Sequence, residues 1–211
     1  MSNAMKAVSW MWLRAARSAR DLWEDRSAIA ATEFAVIVPI MLVLFFGTVE
    51  FSSGVAVDRK VTLVARTLSD LTSQSPPAGV SDTDFTNYFA AGNGIMQPYI
   101  PVNGYPSVRA TISELYVDPN TLQARVQWSK GTAGTARVAS SIVPIPNGLA
   151  VAGTYLIYSE VSFLYTPTVG YVMAKAGINL SDVSYTRPRQ AACVIYPASA
   201  SGAATPPCPT L

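Results

Sequence analysis

Apolar residues run almost unbroken from Ala28 to Val49, and the acid Glu33, near the leading end, is the one charge among them. About 22 residues at ~1.5 Å each make a helix of roughly 33 Å, enough to cross a hydrocarbon layer ~30 Å thick. Beyond Val49 the pattern changes without stopping. Val55, Val57, Val61, Val64, Ala65, Leu68 and Leu71 recur at helical spacing, with Asp58, Arg59, Arg66 and Asp70 on other faces. One long helix is therefore predicted, a transmembrane segment over residues 28–50 and an amphipathic continuation over 51–75. Pro39 stands mid-run, where a soluble helix would lose about 3 kcal/mol and a membrane helix absorbs a kink through its neighbours. It favours a span over a core helix.

Ser75-Pro76-Pro77-Ala78-Gly79 opens a linker, residues 76–83,. Ser81 with Asp84 three positions on makes a capping box for a short helix from Asp84 to Ala91, broken by Gly92-Asn93-Gly94,. Leu122, Ala124, Val126 and Trp128 then alternate with polar residues as a half-buried strand does, and Asp118-Pro119-Asn120 joins them to a strand over Val108 to Val117,. Tyr155 to Tyr165 reads as a third strand, Ser184 to Ile195 as a fourth, and Val169 to Ala176 between them as a short helix ended by Gly177,. Lys130 to Gly153, rich in Gly, Ala, Pro and Ser, reads as a long connection. The fold class expected is α+β, a long N-terminal helix packed on a small antiparallel sheet within residues 84–196, with an Ala/Ser/Pro-rich tail over 197–211.

Charge places the ends. Arg14, Arg17, Arg20 and Arg26 precede the run, interleaved with Trp10, Trp12 and Trp23. That is the composition of an interfacial helix or of a solvated leader, residues 1–27, whose first four residues read either as native or as an expression scar before Met5. Arg59, Lys60 and Arg66 follow at a greater distance, so the positive-inside rule favours a cytoplasmic N-terminus,. The two cysteines, Cys193 and Cys208, then fall outside the cytoplasm, where a bridge between them would persist; two free thiols are the alternative,. Such a bridge would close a loop worth on the order of 3 kcal/mol. Glu50 reads as an interfacial residue that has reached water. Glu33 lies a helical turn inside the apolar run, where a charge costs from about 3 kcal/mol upward unless it pairs or snorkels to the interface.

At these residues the chain resembles a known family. Ala31-Thr32-Glu33-Phe34-Ala35-Val36-Ile37-Val38-Pro39-Ile40 and Gly47-Thr48-Val49-Glu50-Phe51 resemble the signature of TadE/TadG-like proteins, the minor pilin-like components of bacterial tight-adherence pili. The resemblance implies a pilin-like fold and cleavage by prepilin peptidase between Ala28 and Ile29, leaving Glu33 as the fifth mature residue. Ala28 stands where glycine is usual, and TadG-like members remain uncut. If the cut occurs, the new ammonium at Ile29 can be neutralised by Glu33 of a neighbouring subunit, with Phe34 beside it, and so set helix register. Arg187-Pro188-Arg189 is similar to the closing strand of the same family, and related pilins often close a C-terminal disulfide loop.

Other functions find little support in the composition. The 211 residues carry a net charge of +2, too little to argue for nucleic acid,. Histidine is absent, which removes the usual catalytic base and the commonest metal ligand,. Two cysteines cannot make a Cys-rich zinc site, and no glycine-rich phosphate loop occurs,. Asp82 and Asp84 read as helix caps, and Asp70-Leu71-Thr72-Ser73-Gln74 fails the Asp-x-Ser-x-Ser pattern of a metal-dependent adhesion site. The expectation is a non-enzymatic, cofactor-free subunit anchored in the bacterial inner membrane, with a periplasmic domain, whose partners are the membrane, other pilins or pilus assembly proteins, and prepilin peptidase. A permanently anchored envelope protein is one alternative. An adhesive tip subunit using loops such as Gly131 to Gly153 is another.

Overall fold

The computed structural model describes residues 26–99, 108–132, 135–167, 177–198 and 208, with backbone alone at 26–28. The helix expected over Val169 to Ala176, the leader to residue 25 and most of the tail lie outside the described residues. Two compact units divide the chain, one ending at Val49 and the other running from Glu50 to Leu211.

Helix α1, Arg26–Ser73, runs through Pro39 without interruption. In the first unit its apolar side chains are exposed all round, Phe34 at 69%, Leu44 at 65% and Ile29 at 56%. The two hydroxyls in this stretch bond to the helix itself: Thr32 Oγ1 donates to the Ile29 carbonyl and Thr48 Oγ1 to that of Leu44. That leaves no polar group of theirs facing hydrocarbon unsatisfied.

In the second unit the same helix becomes one-sided. Val57, Val61, Val64, Ala65 and Leu68 are fully buried, a single stripe at helical spacing. Each such side chain removed from water stabilises by roughly 1.5–3 kcal/mol, alanine less. The stripe packs with α2, Asp82–Met96, against one face of an antiparallel sheet in the order β3-β2-β1-β4-β5. The strands are β1 Arg109–Val117, β2 Ala124–Gly131, β3 Ile142–Val143, β4 Tyr155–Tyr165 and β5 Ile178–Thr186.

Helix α2 starts at a capping box: the Ser81 hydroxyl accepts from the Asp84 N–H, and Asp84 Oδ2 accepts from the Ser81 N–H at 2.9 Å. The Ser81 hydroxyl, which also donates to Asp84 Oδ2 at 2.6 Å, and the Ser81 N–H together hold the Asp84 carboxyl below its usual value. Gly92-Asn93-Gly94 does not break the helix. Gly92 is buried, and a Cβ there would lie 3.1 Å from Val64 Cγ1; the glycine is a point of close approach to α1, and packing overrides its poor propensity.

A bulge divides the sheet between two cores. Glu114 pairs with Trp128 but the next residue, Leu115, pairs with Val126, so Gln127 is an extra residue in β2,. Ala110, Ile112 and Trp128 pack with the helices, whereas Leu115, Val117, Ala124 and Val126 join Leu156, Tyr158 and Val143 in a second cluster. The segment read as a featureless connection supplies that cluster's cover, through β3 and a 3₁₀ turn at Asn147–Leu149, with Ile145 and Leu149 packed on it.

Two strand boundaries differ from the sequence reading. Leu122 belongs to the turn, at φ 56 and 49% exposed, because Asp118 Oδ1 accepts the N–H groups of Asn120 and Thr121 and keeps the chain turning. The last strand is Ile178–Thr186, not Ser184 to Ile195. It ends where Arg187 and Pro188 follow, and the Arg189 N–H leaves the sheet to donate to the Ser73 carbonyl at the end of α1,.

Beyond it, Ile195 accepts from the Val80 N–H, and the Ala198 N–H donates to the Val80 carbonyl. Gly79, at φ +98, makes this possible: a Cβ there would lie 2.3 Å from the Ile195 oxygen,. Cys193 and Cys208 are joined by a disulfide, packed beside Tyr116 and Tyr155. Because the bridge closes a short loop, replacing both cysteines with serine is expected to cost about 3 kcal/mol, read as a lower urea midpoint for the full chain in detergent micelles.

Candidate functional site

Three features of the second unit and one of the first have chemistry in them. The first-unit feature is the leading end of α1. Ala28 and Ile29 lie within the helix, so the bond between them belongs to its first turn, and Glu33 and Phe34 are both exposed one turn later. Glu33 makes no ion pair among the described residues. Among the described residues nothing covers the carboxyl.

At the other end of the apolar run, Glu50 behaves differently from the water-facing residue expected. It is 3% exposed, turned into the second unit, while Phe51 beside it is 65% exposed. Burial raises the Tyr165 phenol above its usual value, the nearby Glu50 carboxyl adds to that rise, and a hydrogen bond with Ser53 opposes it. The sequence shows only that Glu50 closes an apolar run. Which side of the helix is covered depends on strands more than a hundred residues away.

The second unit also holds a fully buried acid that the sequence reading did not single out. Glu114, on the central strand β1, accepts the Val194 N–H through Oε1 and the Trp128 Nε1–H through Oε2 at 3.0 Å. Trp128 shares that proton with the Val194 carbonyl, 2.6 Å away. The seam is continued by Asp82, whose Oδ1 accepts from Lys130 Nζ at 2.6 Å and from the Tyr196 hydroxyl at 2.8 Å. Strand, helix start and the disulfide-bearing C-terminal segment are thus tied together through side chains. The available signal was position: with Ala110 and Ile112, Glu114 falls on the helix-facing register of β1. Burial pushes its carboxyl up to about 8, against the lowering effect of the two hydrogen bonds,.

A polar cleft of about 370 Å³ lies against the β1, β4 and β5 strands, with Arg109, Thr111, Arg137, Glu160 and Ser162 among its walls. Arg137 grips Glu160 through both Nε and Nη2 and lies over the Tyr158 ring. Arg137 and Glu160 thereby neutralise each other within the cleft wall. Among the described residues no group of His, Cys, Asp or Glu could hold a metal ion.

The architecture defined by these features is one helix of membrane-spanning length and apolarity leading into an α+β unit closed by a disulfide. Residues 28–68 match the model of the TadE-like protein family, so the segment carrying Glu33, Pro39 and Glu50 is TadE-like. No curated protein and no solved structure matches the chain.

The Glu114 seam has a pH signature. Because its folded value lies above the ordinary 4.5, the unfolded chain releases the proton first. Stability is therefore full below pH ~4.5, falls as pH rises towards 8 and levels beyond, a loss of at most about 5 kcal/mol. Urea unfolding of the full chain in micelles between pH 4.5 and 8 should show that slope, and Glu114→Gln should flatten it.

Proposed function

We propose that this chain is a membrane-anchored subunit of a tight-adherence pilus, of the minor pilin or pseudopilin kind, that acts in pilus assembly or initiation by packing α1 against other subunits. The observation that carries the reading is the TadE-like helix itself: residues 29–49 expose apolar side chains on every face, with one acid, Glu33, at the leading end. A surface of that kind is stable only in lipid or against other helices. Ala30, Ala31, Ala35 and Gly47 allow close helix approach,.

In this reading the N-terminus is cytoplasmic and residues 50–211 are periplasmic. The Cys193–Cys208 bridge supports that side, since disulfides persist in the periplasm and are rare in the cytosol,. The role is non-catalytic and needs no cofactor. Its partners are other pilins or pilus assembly proteins and, where the leader is removed, prepilin peptidase.

Ala28 in place of glycine favours a second reading, a permanently anchored TadG-like envelope protein whose Ala28–Ile29 bond stays intact. Intact mass with N-terminal sequencing separates the two, on protein recovered from a membrane that contains its own prepilin peptidase. A chain beginning at Ile29 is expected for the subunit, and an intact leader for the permanent anchor. In the first case Glu33→Leu should leave the protein inserted but sharply reduce its recovery in pili; unchanged recovery would sink the Glu33 pairing.

A further inference from the structure

We infer that the second unit carries its own lipid-contacting surface, an apolar groove between α1 and the β4/β5 border that sits in the headgroup layer of a phospholipid bilayer. The inference rests on the membrane-spanning reading of α1 and goes beyond it, because an anchor by itself would leave this surface in water.

The groove, of about 240 Å³, is lined by Phe51, Gly54, Val55 and Asp58 of α1 and by Tyr165, Ile178 and Leu180 of the two last strands. Phe51 is 65% and Val55 37% exposed. Gly54 keeps the floor open, since a Cβ there would already touch the Tyr165 ring at 3.7 Å. β5 is the sheet's last strand, so nothing in the sheet lies beyond Ile178 and Leu180 on that side.

Its depth follows from the helix. About 21 residues from Ile29 to Val49 span ~32 Å and fill the hydrocarbon core. The headgroup layer adds roughly 5–7 Å on each side, and Phe51 to Val55 fall about 3–9 Å beyond Val49 along the same helix. Charge agrees with length. Glu50 would mark the water boundary if it faced outward, but it is buried. Between Glu33 and Asp58 the helix therefore exposes no charge, and Asp58 and Arg59 are the first charged residues to reach solvent. Along this stretch the exposed polar side chains are the small hydroxyls of Thr48 and Ser52 and none is charged, so lipid is the occupant that the stretch selects. Arg59 is long enough to reach back towards a phosphate.

The test uses the full chain in phosphatidylcholine/phosphatidylglycerol vesicles, with the Cys193–Cys208 bridge intact and one nitroxide label at a time on Val55→Cys, Ile178→Cys, Val43→Cys or Val183→Cys. Collision with oxygen, which concentrates in lipid, is compared with collision with a water-soluble nickel chelate. The oxygen-to-nickel ratio at positions 55 and 178 should exceed that at position 183, on the exposed surface of β5, several-fold, and lie below that at position 43 within the span. A water-like ratio at 55 and 178 with a lipid-like ratio at 43 would overturn the groove and leave the anchor standing. Exclusion of both reagents at 55 and 178 would also overturn it, in favour of cover by protein, a second copy or residues 168–176. A water-like ratio at 43 would instead overturn the membrane-spanning reading on which the inference rests.

Discussion

Everything in this molecule depends on one helix having to suit two surroundings along one axis. Up to Val49, α1 presents apolar side chains in every direction, and among the described residues nothing covers them. From Val57 onward the same helix buries a single stripe and turns charge outward. A helix satisfies its backbone internally, so it can pass from one medium to the other without breaking a hydrogen bond. A sheet or loop could not, so a helix exposed on every side before Val49 and one-sided after Val57 is suited to a change of surroundings along its length,.

The sheet answers a related problem. A flat antiparallel sheet with one helical layer would leave its other face in water. The extra residue Gln127 shifts the alternation of β2, so that Trp128 joins the helix-side core while Ala124 and Val126 join Leu115 and Val117 of β1 in the second cluster. On β1, plain alternation puts the acid on the helix side with Ala110 and Ile112. Glu114 and Trp128 are the last pair before the bulge, and both turn towards the C-terminal segment, whose Val194 backbone supplies a donor and an acceptor at the right height. A buried carboxyl without such partners would cost more than the packing around it returns.

Local physics was legible in the sequence, and long-range physics was not. The span, the helical continuation and the Ser81–Asp84 capping box each follow from residues a few positions apart. So does the Asp118 turn, although Leu122 was taken for strand because an apolar residue at an alternating position looks the same in a left-handed turn. Gly92 reads as a breaker by propensity and is a contact by packing, since Val64 lies against it. The two-residue β3 has no pattern of its own; it exists because β2 offers it an edge. Glu114 shows the limit most clearly, for its partner Val194 is distant in the chain and binds through its backbone, which no side-chain pattern reports.

Glu33 and Glu50 each begin a Glu-Phe pair on one helix, and the fold treats them in opposite ways. A carboxylate at membrane depth costs from about 3 kcal/mol upward unless something compensates it. For Glu50 the second unit has met that cost, by burying the residue near Tyr165. For Glu33 the described residues offer no ion pair and no cover. Compensation must then come from outside the described residues. The first acid is the one whose state depends on what surrounds the protein, and the second reports only whether the protein has folded.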